Sequence, residues 1–551
     1  MVRRLWLLLM VGVLAGGCGR GSPGGAAGRG GGGGLPIAGA GGSAGAGGSG
    51  GGGGSAGPVA PGVRVFAGRA SMLWDGPSCT AEEGATDDRW CAFVTASSTG
   101  ARHLYVVDVS QVAAGAAVSC GGAVADQNCL LLTPALGDDL RDPTFHGSFF
   151  KGDTLVYYDE SLSPYVWRPG MSEGRLLATH SATFDVGFCT PANRGTAVAC
   201  LGLPSAQPDP NITRGELLAE SVGGAGAPLL ETIDTVIASN AADRGGTPRF
   251  SFGFPPVAGD WVAWTSRATA DGPEILKMQR AGDPPGPITV ATDVHGWDVS
   301  PDGTQWFWLS AIATSGIGML QTAPFPAGAG PIDVQERVLD YGFPTATGRT
   351  VVTLAQSGAI AAIADPVGAP STRIALDTQV QTLLAFGRQG HVAYVKHYFG
   401  ANLVDLFVKK VDGTGDCAVD TSVTVPIFSV QLSPDAGALL WVRSKAGGGF
   451  DGHYTRLADC NAMPLASDVV AHGHVGAGAV VFMDEFNDAT QTGSMRFRGV
   501  ADGNVLAPGS PTLVAHQVDT YAISGPAPGA LLYTVNGAGG DDGVYVRWFG
   551  P

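Results

Sequence analysis

The side chains that could do chemistry are few and scattered along the chain. His472 and His474 flank Gly473, and Asp484 and Glu485 close the apolar segment that follows. On a strand, residues i and i+2 share a face. The two imidazoles could therefore point together toward a metal ion or into a channel; the competing reading is a polar loop. His391 and His397 also have even spacing, but they lie a strand's length apart. Asp541-Asp542-Gly543 offers carboxylates in a glycine-rich loop, an oxygen ligand set of the kind Ca²⁺ takes, or else an acidic hairpin turn. Trp297, Trp306 and Trp308 could stack on a sugar or a peptide, or fill the space between packed sheets. Gly41-Gly42-Ser43-Ala44-Gly45 has the form G-x-S-x-G, but that motif needs a strand before it and a helix after it. Both flanks here are low complexity. No H-E-x-x-H, P-loop or EF-hand pattern is present. These patterns assign no catalytic residue and call for no cofactor, Ca²⁺ being the one ion a loop here would suit.

Eight cysteines follow Cys18: Cys79, Cys91, Cys120, Cys129, Cys189, Cys200, Cys417 and Cys460. An even count reads as disulfides formed in an oxidising compartment. Closeness in sequence favours neighbours as partners. Cys189 and Cys200 flank Gly195 and could bridge the arms of one hairpin. Cys417 and Cys460 lie 43 residues apart and would sit at similar heights in successive repeats. No pair has the short spacing of a zinc site.

Residues 1–18 carry basic Arg3 and Arg4, then an apolar run from Leu5 to Leu14, then Ala15, Gly16, Gly17 and Cys18. The run is too short to span a bilayer. The segment resembles a bacterial lipoprotein signal peptide with Cys18 as the lipidated residue, although Leu14 stands one place further from Cys18 than in the commonest pattern. Gly19, rather than Asp, implies the outer membrane in a Gram-negative cell. Residues 19–62 are almost all Gly, Ala, Ser and Pro. They cannot bury enough apolar area to offset chain entropy, and they read as a disordered tether. A formal glycosylation sequon at Asn211-Ile212-Thr213 is uninformative in that setting.

The elements that must position any site are short strands at a regular period. A turn glycine recurs before an apolar strand at Gly152, Gly195, Gly259, Gly303, Gly348, Gly390, Gly437, Gly478 and Gly529. Successive spacings are 43, 64, 44, 45, 42, 47, 41 and 51, the long one carrying an insertion between Pro204 and Gly215. A further unit without the glycine begins at Arg89-Trp90-Cys91. Three to four short antiparallel strands per 40–50 residues is the signature of a β-propeller blade. Residues 63–551 are therefore expected to form an all-β propeller. Ten units are counted, above the usual four to eight. The ring is either unusually large, or seven or eight blades with insertions, or two smaller rings. The last unit lacks its own outer strand, which Val63 to Phe66 is placed to supply.

The phrase Ser300-Pro301-Asp302-Gly303 before a strand, with a partial copy at Ser433-Pro434-Asp435, resembles the TolB-like propeller repeat. Such resemblance implies the fold and, as in TolB-like proteins, a part in envelope assembly. Some prolyl peptidases pair this kind of propeller with an α/β-hydrolase domain, but the repeats run to Pro551 and leave no stretch for one. A net charge of −16 excludes a nucleic-acid partner and electrostatic docking on anionic lipid. The expectation is a lipid-anchored envelope protein that binds a protein or glycan through one mouth of the ring. The rival is a hydrolase or lyase whose acids and histidines converge in the channel.

Overall fold

The computed structural model describes residues 62–549 apart from short connecting segments, the longer ones being 70–77, 80–88, 138–147, 205–214 and 234–251. Cys18, the tether, the Gly41–Gly45 match and the Asn211 sequon lie outside the described residues.

The strands assort into ten four-stranded antiparallel blades. Blade 1 spans Ser78–Cys79 to Cys129–Thr133, blade 2 Ser148–Lys151 to Arg175–Leu176, blade 3 Phe184–Pro191 to Leu229–Ile233 and blade 4 Phe252–Gly253 to Ile288–Thr292. Blade 5 begins at Val294–Val299, and blade 6 ends at Thr372–Asp377. Blade 7 spans Val380–Gly387 to Cys417–Thr424 and blade 8 Val430–Leu432 to Asn461–Ser467. Blade 9 begins at Ala471–Val475. Blade 10 contains Ala530–Val535 and Gly543–Trp548, and it is completed by Val63–Ala67. Two long strands serve two blades each. Ile332–Gly342 pairs through residues 332–338 with blade 5 and through 338–342 with blade 6. Thr512–Ser524 does the same for blades 9 and 10, pivoting at Val518.

Side-chain packing shows one ring. Each blade shares an apolar cluster with the next, as in Trp90, Leu104 and Leu155 between blades 1 and 2 or Val352, Leu383 and Tyr394 between blades 6 and 7. The series returns to its start where Leu532, Val544 and Val546 of blade 10 pack with Cys91, Phe93 and Tyr105 of blade 1. A closed cycle through all ten blades rules out two rings, and every counted unit is a blade, not an insertion. The second strand of each blade is buried along nearly its whole length because both its faces meet a neighbouring blade. Trp264, Trp306, Trp308 and Trp441 are fully buried there. Trp297 is also buried, so the three tryptophans of blade 5 fill a seam and form no stacking surface.

The turn at Ser300 joins the innermost two strands of blade 5. Gly303 adopts φ 70°, the left-handed region that glycine enters without a Cβ clash. The Ser300 hydroxyl donates to Asp302 Oδ1 (2.7 Å) and accepts from the backbone N–H groups of Thr304 and Gln305 (3.2 and 3.0 Å). Asp302 also accepts from the Thr304 N–H at 3.1 Å. These residues are turn chemistry. Ser433 repeats the pattern in blade 8, accepting from the Ala438 N–H at 2.9 Å.

At the opposite mouth, the chain crosses from the outer strand of one blade to the inner strand of the next. Five of these crossovers carry a non-glycine residue at positive φ followed by a buried valine. They are Asp293-Val294, Arg337-Val338, Gln379-Val380, Asp468-Val469 and Gln517-Val518. The valine plugs the new seam while the left-handed residue turns the chain.

All four expected disulfides form: Cys79–Cys91, Cys120–Cys129, Cys189–Cys200 and Cys417–Cys460. The first and third are direct cross-strand pairs in the innermost hairpins of blades 1 and 3. The fourth ties the outer strand of blade 7 to a turn of blade 8.

Candidate functional site

The mouth that carries the crossovers, with the turns between second and third strands, carries several ion pairs of blades 6 to 9. Asp377 accepts from Tyr394 Oη and from Lys396 Nζ, each at 2.6 Å, and these bonds hold its carboxyl below the usual carboxylate range against the effect of burial. In blade 8, Lys445 bridges Asp468 (2.9 Å) and Asp451 (3.6 Å). In blade 9, Arg496 Nε lies 2.8 Å from both oxygens of Asp484, and its Nη2 lies 2.8 Å from Glu485.

Strand register places His472, His474, Asp484, Arg496 and Arg498 on the one face of blade 9 that packs against blade 8. The sequence pattern thus brings the two histidines to a common face. Asp484 is turned to Arg496, however, and burial alone pushes His472 down to about 4, with no contribution from a carboxylate. Both ring nitrogens of His472 are buried without a hydrogen-bond partner. His474 packs against Tyr454 of blade 8 with ring centroids 6.4 Å apart. Among the described residues no three His, Cys, Asp or Glu side chains group as a metal site. His391 is buried, and the His397 side chain lies outside the described residues.

Asp541 and Asp542 belong to the ring closure. Asp541 O accepts from Tyr545 Oη (2.8 Å). Asp542 O accepts from the Gly68 N–H (3.1 Å) and from the Arg64 guanidinium, while its carboxylate lies 3.8 Å from Arg69 Nε.

Sequence reasoning missed three features. Ser494 contacts His516 Nδ1 at 2.9 Å and donates to Glu485 Oε2 at 2.7 Å. Because its single proton goes to the carboxylate, the imidazole is the donor in the other contact. The hydroxyl lies between acid and imidazole and is not activated as a nucleophile would be. At the far end of the channel, the innermost strands of blades 5 and 6 bring Asp298 toward Tyr341. Burial raises the Asp298 carboxyl to about 7, and burial and then Asp298 itself push the Tyr341 phenol well above its usual value.

The third feature is a cleft of roughly 270 Å³ in blade 8, lined by Arg443, Asp451, His453, Pro464 to Ser467, and Arg498 of blade 9. A register shift creates it. Pro464 has no N–H to give the sheet, and pairing slips so that Gly452 faces Ala466 while His453 faces Pro464. The bulged Leu465 carbonyl accepts from Arg498 Nη2 at 3.1 Å across the blade seam. The His453 ring stacks on Trp441 at 4.3 Å and 15°. Burial, then Arg443, lowers its pKa, so it is neutral at pH 7, and its Nε2 is buried without a partner. Arg443 is held loosely, 3.4 Å from Asp420 and 3.9 Å from Asp451.

No protein-family model matches this chain, and no curated protein matches it. Among solved structures it is similar to one of two analysed prolyl endopeptidases, with 13% identity, a TM-score of 0.36, and coverage of 65% of this chain and 53% of that one. Prolyl oligopeptidase B from Galerina marginata gives 12%, 0.36, 77% and 56% in the same order. An oligogalacturonate lyase in complex with manganese gives 12%, 0.33, 64% and 98%. This chain thus spans a little over half the length of the two peptidases. The propeller architecture stands on its own sheets and seams.

Proposed function

We propose that this chain is a lipoprotein of the TolB-like kind, anchored through Cys18 and residues 19–62. Its propeller binds a ligand non-catalytically at the crossover mouth. The signal-like N-terminus and the S-P-D-G turn at Ser300, with its partial copy at Ser433, support the first part; the net charge of −16 speaks against nucleic acid and leaves a protein or glycan as partner. One observation carries the binding reading. The cleft in blade 8 opens near the ends of the strands that carry Arg443, Asp451 and Ser467, beside Lys445 and among the charged side chains of this mouth. A ligand site needs such a concavity with a few placed polar groups. The experiment has two parts. Metabolic labelling with a fatty acid should mark the protein in envelope fractions, and Cys18→Ala should abolish the label. Thermal-shift screening of the soluble propeller against envelope sugars, amino acids and peptides should yield a binder that Arg443→Ala loses and Gln305→Ala, near the other mouth, keeps. Loss with both variants would count against this mouth.

A second reading is an envelope hydrolase or lyase. It is supported by Asp298, whose carboxyl at about 7 is poised for proton transfer near Tyr341. Turnover of envelope polysaccharide or peptide that Asp298→Asn abolishes, with unchanged melting, would establish it.

A further inference from the structure

We infer that Arg547, with Phe497 and Phe549, forms a shallow site for a carboxylate borne on an aromatic or apolar group, in the seam between blades 9 and 10. The site lies toward the mouth that carries the turn glycines, so the inference stands apart from the function proposed above. Gly543–Trp548 is the third strand of blade 10. It is paired on one side with Ala530–Val535 and on the other with the closing strand Val63–Ala67, and the Phe549 N–H donates to Gly529 O at 3.0 Å. Leu531 faces Arg547 in register, and Leu531, Phe497 and Phe549 share the apolar cluster of blades 9 and 10. Register therefore turns Arg547 toward blade 9. Its guanidinium carbon lies 4.8 Å from the centre of the Phe497 ring, across the seam, and 5.6 Å from that of Phe549. The two rings meet edge-on at 5.2 Å. The rings take the flat face of the guanidinium and leave its edge, along which the N–H donors lie.

That edge is what calls for a ligand. Arginine is rarely buried unpaired, and Arg175, Arg443, Arg456 and Arg496 each meet a carboxylate. Arg547 meets none among the described residues. Burial holds its pKa below the usual value, and only Tyr533 acts the other way. Its Nη1 is buried without a hydrogen-bond partner. A buried donor left unpaired is costly. A methionine would lie against the same two rings without that cost, so the position gives up stability, as binding sites do. Nη1 alone of the three nitrogens is enclosed in this way, and Arg547, Phe497 and Phe549 are all only half-buried. A carboxylate can take the open edge of the guanidinium, and a small turn of the long side chain presents Nη1 to its second oxygen. The planar fork matches two carboxylate oxygens. The two phenylalanine rings beside it give the ligand's aromatic or apolar body a surface to lie on.

Thermal melting of the soluble propeller, with ligand-observed NMR for affinity, tests this with matched pairs: phenylacetate against phenylacetamide, and N-acetyl-alanyl-phenylalanine against its amide. The first pair stands for a small acid and the second for the C-terminus of a peptide. At least one acid should bind about fivefold or more tighter than its amide and raise the melting temperature where the amide does not. Arg547→Met should melt at or above the parent temperature, which shows that it folds, and should lose the rise given by the acid. Arg547→Lys keeps a cation over both rings but not the fork, and should bind about threefold or more weakly. Arg373→Gln, at an exposed arginine of blade 6, should bind as the parent does. Equal binding of acid and amide, or unaltered acid binding in Arg547→Met, overturns the inference. So does inorganic phosphate binding as tightly as the acids, which would leave no role for the rings. Binding that appears only when residues 550–551 are removed would make the chain's own terminal carboxylate the occupant and overturn it too. Absence of binding by all four probes to about 10 mM, the weak end of specific association, does the same.

Discussion

Burial favours the neutral form of both Asp298 and His472, the one protonated and the other deprotonated, and pH separates them. The Asp298 carboxyl is about 7 in the folded chain and near 4 when unfolded. Its folded form prefers the proton, so its stabilisation is complete below about pH 4 and is lost as pH rises toward 7. His472 behaves inversely. Its folded pKa is about 4 against roughly 6.5 unfolded, so stability is complete above about 6.5 and is lost as pH falls toward 4. Melting curves of Asp298→Asn should therefore gain on the parent at pH 8 and converge with it near pH 4. His472→Asn should gain on the parent as pH falls from 6.5 to 4. Differences on the order of 1–2 kcal/mol are expected once partial solvent access to Asp298 is allowed for. Identical pH profiles for parent and variants would show that neither group is desolvated in this way. Residue chemistry was also the least legible level. The two histidines were visible because their spacing is local. Arg443, His453 and Arg498 come from three strands, and they meet only because Pro464 forces a bulge, which no spacing in the chain announces.

At the scale of the element, the crossovers show what periodicity can hide. The turn glycines revealed the repeat because glycine marks positive φ. The opposite crossovers use positive φ as well, but with Asp, Arg or Gln, and so give no such mark. Their trace is the pair of a polar residue and valine, as in Thr292-Asp293-Val294 and Thr378-Gln379-Val380. A left-handed non-glycine residue costs on the order of 1 kcal/mol. Gln379 is exposed, so Gln379→Gly should leave melting unchanged or raise it slightly, whereas Gln379→Val should lower stability by roughly 1–2 kcal/mol. A stabilising valine would contradict the assigned backbone. In the facing turns, Gly348 has φ +65°, and a Cβ there would meet Pro301 Cδ at 2.6 Å in the neighbouring blade. Gly348→Val is expected to destabilise by more than Gln379→Val, read by denaturant midpoint, because it adds a clash with rigid atoms to the backbone strain.

For the whole molecule, class was legible in the chain, since the period and the missing outer strand are both properties of a ring. The alternatives for blade number were settled by seams, which depend on packing between residues far apart in the chain. Two devices hold the ring. One is the Cys417–Cys460 bond between blades 7 and 8, which closes a 43-residue separation. On loop-entropy grounds its removal by a double serine substitution should cost up to about 4 kcal/mol, seen as a lower melting temperature that reducing agent does not lower further through this bond. The other is Val63–Ala67. It pairs with Gly543–Trp548 of blade 10, while Phe66 lies against Phe93 and Tyr105 of blade 1 at 6.1 and 5.6 Å and Val65 O accepts from the Cys120 N–H at 2.8 Å. Deleting residues 62–68 should lower melting on the order of 5–10 °C; an unaltered curve would mean that closure contributes nothing.

That closing strand has a mechanical consequence. The polypeptide leading to the N-terminus leaves the ring directly from it, with the Gly62 N–H held by Tyr533 Oη at 3.1 Å. Tension applied at Gly62 therefore enters the molecule at its seam, through the ladder with blade 10, the Arg64 contact with Asp542, and the bond of Val65 O with the Cys120 N–H of blade 1. A pull on the N-terminal side would strip this strand from blades 10 and 1 before it disturbed any other blade. The same strand that seals the ring is the place where force would open it, and single-molecule stretching from the N-terminus should record that release as the first, small extension.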